Sequence, residues 1–376
     1  MTQKRMVHRP PARDSRVLLS AVAALSIGAL VLTGCAGADD PDALDAQGTG
    51  APESGTENDG APTEDSAETG EAATVTGEAA TVEGPDWPRT VTLGEQEVVI
   101  EQEPQAVVAL STETGDITLE LAGPERVAAV TTGSATEGTG NAVELAQEVE
   151  TVFPPGTDPD PEQVLALEPD LVLITGRHDG EDNVADILAA SGVPALVFDT
   201  ADFATPDAVA DSVRLLGVAL GEDTSAAEQA EAIEEEVLQV QEAVVGAEGQ
   251  SQPRTVGLMA RGNQVMVTGM GSTLTSLAEQ AGGASVAEEM GWRGAVPVDA
   301  ELLLAANPDV ILIEDFQGAG IAPFEDLLAS SVLAEVPAIA QDEVHLIPGA
   351  VASGTAGLRI GEGLRQIAEI LHPEQF

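Results

Sequence analysis

Residues 160–174 (DPEQVLALEPDLVLI) return 139 positions later as residues 299–313 (DAELLLAANPDVILI), with eight of fifteen positions identical. A single long-period repeat points to two similar lobes, because a solenoid needs several stacked units to bury its core. In each copy an acidic residue opens a short predicted helix, Pro-Asp ends it, and an all-apolar run follows. Such a run suits a strand buried on both faces of a parallel sheet. Two α/β lobes in one chain leave a cleft between them, and lobe interfaces are where small ligands usually bind.

Residues 1–35 read as a targeting segment and stand outside the fold. Lys4, Arg5, Arg9, Arg13 and Arg16 make a basic start, and an uncharged apolar run follows over 17–32. That run is short for a membrane span, which needs roughly 20 apolar residues. Leu32-Thr33-Gly34-Cys35 then matches the lipobox of bacterial lipoproteins, in which the cysteine is the cleavage and acylation site. Cys35 is the only cysteine, so disulfides and Cys-based metal sites are excluded. Residues 36–86 hold 14 acidic residues with no basic or aromatic ones. They cannot bury enough apolar surface to offset chain entropy and are expected to form a disordered, extended tether.

The formal net charge is −51, and Lys4 is the only lysine. Phosphate binding depends on clustered Lys and Arg, so nucleic acid is excluded as a partner. Downstream of the tether, apolar runs alternate with amphipathic stretches, which predicts α/β layering. The expected parts are an N-terminal lobe over 87–224, a connecting helix over 225–249 and a C-terminal lobe over 250–376, long enough for two cores. Strands are predicted at 107–110, 127–131, 171–175 and 195–199, then at 255–260, 264–268, 310–314 and 343–347. Helices are predicted at 116–122, 186–191 and 361–371. Ser225 with Glu228 forms a capping-box pattern. Ala226, Ala230, Ile233, Val237, Val240 and Val244 form a stripe at helical spacing. Some 22 residues at about 1.5 Å each span roughly 33 Å, enough to cross both lobes and limit hinge motion.

These features together resemble the substrate-binding proteins of ABC importers for iron complexes and cobalamin, the family with a single helical backbone between lobes. The resemblance covers the body from residue 87 on. Val107-Val108-Ala109-Leu110-Ser111, Asp116-Ile117 and Leu121-Ala122-Gly123-Pro124-Glu125-Arg126-Val127 look like that family's opening strand, helix and second strand. Residues 162–173 and 301–312 match its internal motif, and Leu277-Ala278-Glu279-Gln280-Ala281-Gly282-Gly283 matches in the second lobe. The resemblance implies a monomer that captures a small iron complex and delivers it to a permease dimer with its ATPase. It further implies that Glu162 and Glu301, at equivalent places of the repeat, meet arginines of that permease. Without tyrosine, the ligand-contacting tyrosines of several relatives have no counterpart here.

Ligands of α/β sheets bind beyond the carboxyl ends of strands, which singles out Arg177 and Arg261. Forked guanidinium groups suit carboxylates, catecholates or hydroxamates. Arg293 beside Trp292, Phe316 after the strand at 310–314, Ser111 and Met270 complete the expected pocket. Met270 lies in Gly269-Met270-Gly271-Ser272-Thr273, a Gly-rich turn that opens a helix and lacks the ending of a nucleotide-binding loop. His178, next to Arg177, is a candidate haem ligand; His345 reads as a strand residue. Two usable histidines do not furnish the convergent set a bare Zn²⁺ or Mn²⁺ site needs. No nucleophile elbow or dinucleotide fingerprint occurs, so a binding protein without a tightly held cofactor is expected, and not an enzyme. A secreted hydrolase and a structural surface lipoprotein are the remote alternatives. A ferric siderophore is the expected ligand, with haem and then cobalamin as alternatives.

Overall fold

In the computed structural model, which describes residues 74–75, 86–154, 160–177, 179–245, 252–262 and 264–376, both copies of the repeat take the same local form. Asp160 caps the helix Pro161–Leu165, its carboxylate accepting from the Glu162 N–H at 2.9 Å. Asp299 caps Ala300–Ala306 by accepting from the Leu302 N–H at 2.8 Å. Side-chain acceptors at this position satisfy N–H groups that a helix leaves open. After the helices, Glu168 (φ 50°) and Asn307 (φ 44°) take left-handed backbone angles. Asp170 accepts from the Gln105 and Ala106 N–H groups at 2.7 and 2.9 Å, and Asp309 accepts from the Arg254 N–H at 2.9 Å. The repeated aspartates therefore fasten each apolar strand to the start of its neighbour.

The first sheet runs Thr151–Phe153, Val127–Thr131, Val107–Ala109, Leu171–Gly176, Ala195–Asp199, all parallel. The second runs Ala295–Pro297, Gln264–Thr268, Arg254–Arg261, Val310–Asp315, Val344–Pro348. Its last three strands are parallel, and its first two pairings are antiparallel. In the repeat, Leu171, Val172, Leu173 and Ile174 and their partners Ile311, Leu312 and Ile313 are wholly buried, as strands covered on both faces must be. Helices lie against both sheets, so the fold is α/β with one mostly parallel sheet per lobe.

The connecting helix is Asp223–Val245. Ala226, Ala230, Ile233, Val237 and Val240 are buried along one face and Val244 partly so, which reproduces the predicted stripe. The expected capping box does not form, because the helix starts before Ser225. Two arginines set that start instead. Arg89, buried to 2 %, donates to Val218 O at 2.9 Å and pairs with Asp223 at 2.7 Å. Arg126 donates to Leu220 O at 2.5 Å and pairs with Glu222 at 2.7 Å. Their guanidinium groups satisfy the last carbonyls of the helix Pro206–Leu220 and neutralise the acidic turn into the next helix.

Each lobe has apolar clusters of its own, around Val172 and Val130 in the first and around Leu258 in the second, and a further cluster joins them. It runs from Val107, Leu171 and Leu173 through Val213, Leu216 and Val240 to Leu312, Ile347 and Ile367. The helices Pro206–Leu220, Asp223–Val245 and Ile360–Leu371 weld the two sheets into one body through that cluster. Two further elements carried no strong sequence signal. The helix predicted at 116–122 begins at Thr112, because its first turn is too polar to show an apolar period. The hairpin Arg89–Leu93 with Gln96–Ile100, turned at Gly94 (φ 58°), lies against the helix Pro206–Leu220 and the strand Ala195–Asp199. Within the expected tether, Thr74–Val75 pairs with Thr90–Val91, the local TVT run being uncharged and β-branched. Cys35, the signal segment and the rest of the tether lie outside the described residues.

Candidate ligand-binding cleft

Between the carboxyl ends of the two sheets lies a cavity of about 740 Å³. Each lobe presents to it the start of a helix. Ser111-Thr112-Glu113-Thr114 opens the helix Thr112–Ala122, and Ser272-Thr273-Leu274-Thr275 opens Thr273–Gln280. In both, the serine hydroxyl meets the second threonine, at 2.6 Å for Ser111–Thr114 and 2.9 Å for Ser272–Thr275. This Ser-Thr-x-Thr pattern is a second repeat that the apolar periodicity concealed. Twelve of the described residues that line the cavity are serine or threonine, and Phe316 is the one aromatic among them. The lining therefore mixes hydroxyl-bearing residues with apolar area, little of it aromatic.

The two helix starts differ where it matters chemically. Glu113 has no solvent exposure, while its counterpart Leu274 is buried in the core. Glu113 Oε1 accepts from the Thr175 hydroxyl and from Arg177 Nη2, each at 2.5 Å. Thr175 Oγ1 also sits 2.9 Å from Ser111 Oγ. Among the described residues Glu113 Oε2 has no hydrogen-bond partner. Arg177 therefore reaches the cleft as half of an ion pair. Its fork is held by a buried carboxylate, which the sequence did not single out.

On the opposite wall stand Arg261, Glu314, Met259, Met270 and Phe316. Arg261 is exposed and makes no ion pair among the described residues. Glu314 follows the buried run of the strand Val310–Asp315 and is itself partly exposed, and desolvation raises its carboxyl to about 7 against the opposing pull of Arg261. A carboxylate closing the otherwise apolar run VILIE was the available signal for it. In the repeat, Glu314 falls where the first lobe has Thr175, and Phe316 falls where it has Arg177.

Of the expected pocket residues, Ser111, Arg177, Arg261, Met270 and Phe316 all line the cavity. Trp292 does not: its side chain packs against the second-lobe core around Val256, Leu258 and Leu303. Arg293 is exposed next to the lining residue Gly294 and is itself off the wall. The loop is pinned there because Met270 N donates to Trp292 O at 2.9 Å, and Gly269 crosses so close to Gly294 that a side chain would clash. His178 lies outside the described residues. His345 pairs with Glu343 at 2.8 Å, away from the cavity, as its strand position implied. Glu162 and Glu301 are both exposed in the first turns of their helices.

Beside the cavity the lobes touch through Asn141. Its Nδ2 donates to Ala356 O at 2.6 Å and to Thr355 O at 3.2 Å, while its N–H is held by Asp116 Oδ2 at 2.7 Å. Asp116, on the same helix as Glu113, is 3 % exposed. Burial raises it to about 7 despite the lowering effect of the Asn141 N–H and the Ser134 hydroxyl, and nearby Glu113 and Glu120 add to the rise.

The chain is 22% identical over 285 residues to an ABC transporter substrate-binding lipoprotein of Bacillus subtilis strain 168, YvrC, covering 75% of this chain and 84% of that protein. Among solved structures it is similar to the periplasmic heme-binding protein RhuT of Roseiflexus sp. RS-1 in apo form. That match has a TM-score of 0.60 and 22% identity, over 72% of this chain and 99% of that one. It is also similar to Helicobacter pylori CeuE with Ni(II) bound, with a TM-score of 0.62 and 18% identity over 76% and 90% of the two chains. The family model described as periplasmic binding protein matches residues 107–351, from the first strand of the first sheet to the helix that follows the last strand of the second. With both sheets, the welding helices and the cleft inside or bordering that span, the chain belongs to the periplasmic binding protein family, whose members bind solutes and are not enzymes.

Proposed function

We propose that this chain is the extracytoplasmic substrate-binding lipoprotein of an ABC importer, anchored through Cys35, and that it captures an iron complex in the interlobe cleft. A ferric siderophore is the ligand we favour. The observation that carries this choice is the composition of the cleft: twelve serines and threonines, with Arg261 exposed on one wall and Arg177, paired with Glu113, on the other. Hydroxyls and guanidinium forks suit the oxygen donors and amides of a chelate. The importer assignment rests on the family, and the lipoprotein assignment on the lipobox and on the name of the Bacillus relative.

Haem is the second reading, since the Roseiflexus relative is a heme-binding protein and Met259 and Met270 line the cavity. A porphyrin needs broad apolar walls and an axial ligand. Leu110, Met259, Met270 and Phe316 give the cavity apolar wall, with Phe316 the one aromatic among the described lining residues.

Titration of the protein with ferric siderophores should quench tryptophan fluorescence saturably, and hemin should leave the Soret band unshifted. Saturable hemin binding with a sharpened Soret band, and no response to any siderophore, would replace the first reading by the second. Replacing both Glu162 and Glu301 by Ala should reduce uptake in cells while ligand affinity in solution stays the same. Release of Cys35→Ala into the medium, with wild type retained on the membrane, tests the anchor.

A further inference from the structure

We infer that the cleft selects an iron chelate of net charge near zero, built from three monoanionic bidentate donors such as hydroxamates, over a trianionic tris-catecholate. This rests on the iron-chelate reading above and concerns which chelate the same cleft accepts.

Each lobe contributes one arginine and one carboxylic acid to the cavity: Arg177 with Glu113, and Arg261 with Glu314. Arg177 is committed to Glu113, whose carboxylate is fully buried and held at 2.5 Å from Nη2. Its positive charge is therefore cancelled before a ligand arrives. Arg261 shares the opposite wall with Glu314 and acts electrostatically on its carboxyl. The four groups sum to zero with Glu314 ionised and to +1 with it protonated. Burial places that carboxyl near 7, so both states lie within reach at neutral pH.

Ferric iron bound by three hydroxamates is neutral, because three single negative charges cancel Fe³⁺. Bound by three doubly ionised catecholates it carries a charge of −3. Such a ligand would meet two carboxylic acids and at most one uncommitted arginine, inside a protein whose formal net charge is −51. A net charge of that sign repels anions during approach, and the cleft offers at most one positive charge to set against it. The hydroxyl lining asks for no ligand charge, since serine and threonine donate and accept equally well. Glu113 Oε2 adds a buried acceptor without a partner among the described residues, suited to a hydrogen-bond donor on the chelate and hostile to a phenolate.

The test is a fluorescence titration of the detergent-purified full chain at fixed ionic strength with ferrichrome, an uncharged ferric tris-hydroxamate, and ferric enterobactin, a tris-catecholate. Wild type should bind the hydroxamate at least about 30-fold more tightly. Glu314→Gln should narrow that ratio by about 10-fold, the worth of one charge-assisted contact. Glu113→Gln serves as a second variant, and the thermal midpoint of each shows that it is folded. Equal or tighter binding of the catecholate by wild type would overturn the inference and leave the iron-chelate reading standing. A ratio unchanged in both folded variants would overturn the role given to the carboxylic acids. Binding of neither chelate, with saturable hemin binding, would overturn the underlying reading itself.

Discussion

Thr175 and Glu314 end equivalent strands, Arg177 and Phe316 follow them, and the helices that open with Ser-Thr-x-Thr carry Glu113 and Asp116 in one lobe but Leu274 and Leu277 in the other. The backbone is repeated while the chemistry is not. In the first lobe a buried carboxylate holds the cleft arginine, and a second buried carboxyl fastens the contact with the other lobe. In the second lobe the same helix face is apolar, and the cleft arginine stands exposed on a hairpin that the first lobe lacks. A repeat preserves the residues that make a fold and releases those that face the ligand. The first wall should therefore act as a preset structural element and the second as an adjustable binding surface.

That contrast is most exposed to the effect of pH. The folded state keeps Asp116 protonated up to about 7, whereas the unfolded chain ionises it near the ordinary aspartate value of 3.8. Between those values the folded form holds more protons, so the contribution is fully present below the lower value and is lost as pH rises to the upper one. The difference is on the order of 4 kcal/mol at most. Urea unfolding of wild type and Asp116→Asn at pH 4 and pH 7 should show the variant losing much less stability on going up. An equal slope in both would mean that the first-lobe helix has no such sensitivity.

Next in size is the separation of the two arginines. Arg177→Ala leaves Glu113 buried without its guanidinium and should cost about 3 kcal/mol of stability, as breaking one partner of a buried pair does. Adding Glu113→Gln should recover part of it. Arg261→Ala, at an exposed residue without an ion pair among the described residues, should change stability by no more than about 0.5 kcal/mol. Comparable losses from the two single variants would erase the distinction between the walls. The order should reverse in ligand titrations: Arg261→Ala should weaken chelate binding by about 10-fold or more, the worth of one charge-assisted hydrogen bond.

The smallest effect concerns the contact between lobes. Asn141→Ala removes two hydrogen bonds to Thr355 O and Ala356 O and should cost about 1 kcal/mol. Because the shared core continues through the helices Pro206–Leu220 and Asp223–Val245, ligand affinity should change little. A large loss of affinity would mean that this contact, and not the core, sets the spacing of the walls.

What could be read in the sequence was whatever depends on local pattern. The buried runs at Leu171–Gly176 and Val310–Asp315 announce themselves by being apolar without a break, and the connecting helix by its stripe from Ala226 to Val244. Arg177 and Arg261 were legible because strand ends point to ligands. Trp292 falls off the wall: an aromatic near a cleft and an aromatic in the adjoining core look alike in sequence, and only packing against the second-lobe cluster separates them. Ser225 was misread as a cap because the helix start is decided by Arg89 and Arg126, far away in the chain. Glu113 was hidden for the same reason. In a chain this acidic a carboxylate is unremarked until burial removes its water and a neighbour 62 or 64 residues away, Thr175 or Arg177, meets it. By itself, then, the sequence determined the two-lobe α/β architecture, because hydrophobic periodicity is local. Tertiary structure alone decided which charges are paired, which are buried and which remain for a ligand, because Coulomb energy and desolvation depend on distances that only the folded chain has.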